Sequence, residues 1–134
     1  MLIKRDKYYW YNRGEKLLDS LNACNMSYDE IYAEAIRCYM KAISLDPLFV
    51  DAWNARGYVL YILGKYKKAI ICFNKAIEIS PENLDGLSNK GLTLYKMGNY
   101  KEAMKCYDRV IDMEPDFPNA RHNREKIFEI LNKK

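Results

Sequence analysis

The chain has 134 residues, 49% of them hydrophobic, and a formal net charge of +4. That length predicts one domain, and that apolar share is enough for a continuous core. Acids and bases are mixed and no Lys/Arg block stands out, which argues against a dedicated nucleic-acid binder. No apolar run approaches the roughly 18 residues of a membrane span. The start Met1-Leu2-Ile3-Lys4-Arg5-Asp6 lacks the apolar core and small-residue cleavage site of a signal peptide. These features predict a cytoplasmic protein.

In chain order, residues 1–6 are expected to fray. A helix is predicted from about Lys7, carrying Trp10, Gly14 and Leu17. Its partner helix carries Ala35, Tyr39 and Ala42 and is stopped by Pro47, whose ring removes a donor. The same places recur as Trp53, Gly57, Leu60, Ala69, Phe73, Ala76 and Pro81. They recur again as Leu87, Gly91, Leu94, Ala103, Tyr107, Val110 and Pro115. Gly57 to Gly91, Ala69 to Ala103 and Pro81 to Pro115 are each 34 residues apart. A fixed period of that size is the signature of stacked helical hairpins.

From Gly14 to Ala35 is 21 residues, where Gly57 to Ala69 is 12. The first copy therefore carries a nine-residue insertion. Ser27 and Glu30 fit a capping box, so the insertion is expected to lengthen both helices by about a turn, with the bend near Asn22–Met26. Gly64 and Gly98 are expected to close first helices with positive φ. A last helix from about Pro118 to Asn132 would present Ala120, Ile127, Phe128, Ile130 and Leu131 to the open end of the array. Pro118 would sit in its first turn. Arg124 falls in the apolar stripe and would lay its stem there with its head in water.

Cys38, Cys72 and Cys106 are also one period apart. Helices pack about 8–10 Å apart, too far for a disulfide, so these are read as reduced thiols in equivalent niches. Cys24 stands apart in the insertion. No CxxC pair occurs and the chain has one histidine, so neither a zinc site nor any other cofactor is predicted.

These residues resemble the tetratricopeptide repeat, whose pattern is Trp, Leu-Gly, Tyr, Ala, Phe, Ala and Pro at fixed offsets. The residue before the glycine departs from it as Arg13, Arg56 or Lys90, and the family tyrosine is Leu17, Leu60 or Leu94. The resemblance implies an all-α, right-handed superhelical array. Repeats would span residues 7–49, 50–83 and 84–117, followed by a capping helix at 118–132. It also implies that the first helices line a concave groove that binds a peptide or protein segment and does no chemistry.

By analogy, the groove-facing places hold Tyr8, Tyr11, Asn12 and Glu15; Asp51, Asn54, Ala55 and Tyr58; Asp85, Ser88, Asn89 and Leu92; Asn119, His122, Asn123 and Lys126. Asn12, Asn89 and Asn123 occupy one equivalent place. An amide there could bond an extended backbone, or simply tie helices together. Tyr8, Tyr11 and Tyr58 could offer flat contact surface, or be packing. Asp51 and Asp85 are read as favouring helix starts. His122 has no marked nucleophile or orienting group, so no catalytic residue is assigned.

Some members of the family hold chaperone tails with a Lys/Asn/Asn/Lys/Arg clamp. The matching places hold Tyr11, Glu15, Ala55, Asp85 and Asn89 in one register, and Asn54, Tyr58, Asn89, Asn119 and Asn123 in the other. Both lack the cations a carboxylate needs, so no affinity for an EEVD tail is expected. The leading reading is a peptide-binding module. The alternative is self-association, a homodimer through Tyr8-Tyr9-Trp10-Tyr11 or the Ile127–Leu131 stripe. An RNA-binding repeat ranks lower.

Overall fold

The computed structural model describes residues 4–133, which contain seven α-helices and no strand. They are α1 (Lys7–Asp19), α2 (Tyr28–Leu45), α3 (Val50–Ile62), α4 (Tyr66–Ile79), α5 (Leu84–Lys96), α6 (Tyr100–Met113) and α7 (Ala120–Asn132). Helices pair as α1/α2, α3/α4 and α5/α6, and each hairpin packs on the next, with α7 against α6. The protein is therefore a superhelical array of three helix-turn-helix units with a terminal helix.

One contact locks every hairpin. A Cβ on Gly57 would lie 2.6 Å from the Phe73 ring, on Gly14 2.7 Å from Tyr39, and on Gly91 3.0 Å from Tyr107. The aromatic ring of the second helix thus rests directly on the glycine of the first. All three rings are fully buried. The close approach at these glycines is thus made by a ring.

The turns follow from local chemistry. Gly64 and Gly98 adopt φ +75° and +81°. The Lys65 N–H reaches Leu60 O at 2.9 Å and the Gly64 N–H reaches Tyr61 O at 2.9 Å, the paired bonds of a Schellman motif. Asn99 and Gly98 repeat them on Leu94 and Tyr95. Pro47, Pro81 and Pro115 follow extended cap residues Asp46, Ser80 and Glu114, because a proline disfavours helical backbone in the residue before it.

Three expectations need correction. The insertion does not lengthen α1, which has the same 13 residues as α3 and α5; only α2 grows, to 18 against 14 in α4 and α6. Ser20 ends α1 early: its Oγ donates to Leu17 O at 2.7 Å and its N–H is shared by Lys16 and Leu17. A hydroxyl that competes for backbone carbonyls in this way favours a turn. The capping box at Ser27 does form, with Ser27 N–H to Glu30 Oε2 at 2.8 Å and Glu30 N–H to Ser27 Oγ at 3.2 Å.

Pro118 precedes the last helix rather than opening it. Asn119 takes φ +64° and the Ala120 N–H reaches back to Phe117 O at 3.3 Å. This is a type II turn, with proline and asparagine at its two centres. Arg124 does not reach into water alone, because its Nε donates to Asp108 Oδ1 on α6 at 2.5 Å.

At the start, Asp6 caps α1 by accepting the Tyr9 N–H at 3.0 Å, so the irregular start stops short of it. Residues 1–3 of the segment expected to fray lie outside the described residues. Lys7 then donates to Asp46 beyond the far end of α2 at 2.5 Å. That bond, with the Leu48 N–H, holds the Asp46 carboxyl below its usual range.

Cys38, Cys72 and Cys106 are free and buried, and Cys24 is free and exposed. Burial pushes the three buried thiols up, away from the reactive thiolate. Native protein is expected to give one fast equivalent with Ellman's reagent at neutral pH, and the other three only on unfolding. A second fast thiol would mean that a hairpin opens readily.

Candidate functional site

Residues at one place in α3 and α5 are 34 positions apart in sequence, and in α1 and α3, across the insertion, 43, yet they are neighbours in space. Together they line an open cavity of about 360 Å³. α1 contributes Tyr11, Glu15, Leu18 and Asp19; α3 contributes Asp51, Asn54, Ala55 and Tyr58; α5 contributes Asp85 and Asn89. A second, smaller cavity of about 160 Å³ lies further along. Its lining is Tyr61, Leu92, Tyr95, Lys96, Tyr107, Asn123 and Lys126. The stacked pair Tyr58–Tyr61, with centroids 6.1 Å apart, joins the two.

Of the residues singled out from sequence, Tyr11, Asn54, Tyr58 and Asn89 meet in the first cavity, and Leu92, Asn123 and Lys126 meet in the second. Tyr8, Asn12 and His122 line neither. Tyr8 lies edge-on to Phe49 at 5.5 Å near the start of the array, with Lys7 Nζ over its ring. Asn12 and His122 are exposed on α1 and α7.

The asparagines differ in what they touch. Asn54 Nδ2 donates to Asn83 Oδ1 at 2.8 Å, and its own Oδ1 is buried without a partner. Asn123 Nδ2 donates to Tyr107 OH at 3.3 Å. Both amides tie helices together. Asn89 makes no side-chain hydrogen bond among the described residues, so its amide is available to a ligand. Its carbonyl accepts from Thr93 Oγ1 at 2.7 Å.

The first cavity is negative. Glu15 accepts from the Tyr39 hydroxyl, which fixes the carboxylate at the groove wall. Tyr11 is pushed up to about 12, by burial and then by Glu15 and Asp51. Burial is the larger cause, and the two carboxylates add to it in the same direction. In the second cavity Tyr107 is also pushed up to about 12, by burial. There Lys126 Nζ sits 5.5 Å from the centroid of Tyr95, a cation–π distance.

Asp19 and Lys96 were not among the sequence candidates, although each lies four residues beyond one of the groove places, at Glu15 and Leu92. One helical turn on the same face would have pointed to them. Asn83 was missed for another reason. It caps α5 by accepting the Gly86 N–H at 2.5 Å, and its second bond, to Asn54, joins residues 29 apart with no local signal. Among the described residues no three of His, Cys, Asp and Glu are placed to hold a metal ion, and no helix is long and apolar enough to cross a membrane.

Comparisons with known proteins agree with this architecture. A family model described as tetratricopeptide repeat matches residues 50–83 and 84–117, and one described as TPR repeat matches 31–61. No curated protein matches the sequence. Among solved structures, the chain is similar to the first TPR of Spaghetti (RPAP3) bound to HSP90 peptide SRMEEVD, with TM-score 0.85, 23% identity and 98% of each chain covered. It is similar to the first TPR domain of human RPAP3, with TM-score 0.82, 25% identity, and 93% and 91% of the two chains covered. The Sgt2 TPR domain from Aspergillus fumigatus follows at TM-score 0.81 and 19% identity, covering 96% of this chain and 80% of that one. The period in the sequence, the ring on each glycine and the likeness in shape all lead to one assignment: the chain belongs to the tetratricopeptide repeat family.

Proposed function

We propose that the protein is a binding module without chemistry of its own, holding a peptide or protein segment in its concave groove. The observation that carries this reading is the open cavity built jointly by α1, α3 and α5, walled by Tyr11, Tyr58 and Asn89. The two tyrosines offer rigid amphipathic surface, and the free Asn89 amide can bond a backbone in either sense. The likeness to a domain whose structure holds an HSP90 peptide supports the general mode.

The test is a pull-down from native cell extract, comparing wild type with Tyr58→Ala/Asn89→Ala. Partners are expected to be lost on the double variant while its helical melting curve is unchanged. Retention of every partner would move binding off the groove. The same groove is expected to reject an EEVD tail, because Glu15 and Asp85 stand at two of the places a carboxylate clamp would use. Micromolar binding in titration calorimetry would reverse that.

A second reading, self-association through the array end, is favoured by one observation: Phe128 and Leu131 stay 52% and 39% exposed on α7 although Ile127 beside them is buried. Mass that rises with concentration in light scattering, and falls on Phe128→Glu, would establish it.

A further inference from the structure

Glu15, Asp19, Asp51 and Asp85 share the wall of one cavity, in a chain whose net charge is +4. No lysine or arginine lines that cavity. None of the four carboxylates takes part in an ion pair among the described residues.

Asp51 and Asp85 lie in first turns of helices, where negative charge is favourable. Glu15 and Asp19 have no such reason. They are like charges four residues apart on α1, which weakens a helix. Asp19 is also the last residue of α1, the end at which the helix dipole repels an anion. Asp19 is therefore a cost to the fold with no side-chain partner among the described residues. The Tyr39 hydroxyl holds Glu15 in position.

We propose that the groove selects a positively charged segment of another protein, with its lysine or arginine residues over α1, α3 and α5. This rests on the groove reading above and names the class of ligand. Tyr11 and Tyr58 stand beside the carboxylates, and aromatic faces add to cation binding. Lys96 and Lys126 at the second cavity repel the same residues, so the charge of the ligand is confined to one end. A cationic partner is the opposite of what the overall charge would attract through long-range attraction.

Phage-displayed random peptides panned against the whole chain test this. The most enriched peptide is then titrated by fluorescence anisotropy against wild type, Asp51→Asn/Asp85→Asn, Asp19→Lys and Tyr58→Ala. The expected result is enrichment of Lys and Arg over the starting library, with affinity about tenfold weaker in the double aspartate variant. Asp19→Lys is expected to raise the melting temperature while weakening binding, a pairing that misfolding cannot produce. Neutral or acidic peptides lost on Tyr58→Ala would overturn the charge selection and leave the groove reading standing. Peptides indifferent to all these variants, or none recovered, would overturn both.

Discussion

Phe73→Ala is expected to destabilise the protein by about 3–5 kcal/mol, the range for deleting a fully buried ring. Phe73 is 0% exposed and packs with Leu60, Ala69 and Cys72, with Trp53 and Tyr61 at the edge. Its ring also lies on Gly57, so removing it leaves a void between α3 and α4 with backbone for a wall. This hairpin is the central one, and each unit of an array stabilises its neighbours. The loss should therefore appear as a shift of the whole urea transition. The converse substitution, Gly57→Leu, should cost about 1–3 kcal/mol by overpacking. The two positions touch, so their effects should not add. Gly57→Ala should be tolerated better in the Phe73→Ala background than alone. An unchanged midpoint for Gly57→Leu would mean that the ring does not rest there.

Asn83→Ala is expected to cost about 1–3 kcal/mol, from a lost helix cap and an abandoned amide donor. Asn83 Oδ1 accepts from both the Gly86 N–H and Asn54 Nδ2, so one atom starts α5 and ties it to α3. Asn83→Asp keeps the acceptor and should retain most of the stability. Chemical denaturation of the two variants side by side separates the cap from side-chain volume. Equal losses would show that the oxygen is not what matters. The consequence reaches the groove, because α3 and α5 supply Tyr58 and Asn89. Loosening Asn83 should weaken ligand binding even though Asn83 lines neither cavity.

The residues that meet in each hairpin were legible as spacing, since Gly57, Ala69 and Phe73 recur at equal offsets as Gly91, Ala103 and Tyr107, and in the first copy once the nine-residue insertion is removed; that the ring itself lies on the glycine was not. The capping box at Ser27 was legible because its two bonds join residues three apart. The groove was legible only in outline. Tyr11, Tyr58 and Asn89 could be named as groove-facing, but Asn54 and Asn123 could not be told from them. Whether an amide points at a ligand or at Asn83 or Tyr107 depends on a residue 29 or 16 positions away.

Helix starts, stops and the copied hairpin are encoded within a turn or two of chain, where proline, glycine and caps act on their immediate neighbours. Their pattern alone was therefore enough to specify the array. The early end of α1 and the left-handed Asn119 rest on hydrogen bonds at Ser20 and Ala120 that the repeat pattern did not single out. The negative field of the groove is a property of no single segment. Glu15, Asp51 and Asp85 could each be put on the groove face from sequence, but no one of them shows there that the other two lie beside it. They become a site only because stacking brings three helices side by side, and Coulomb interactions depend on distance in space rather than along the chain.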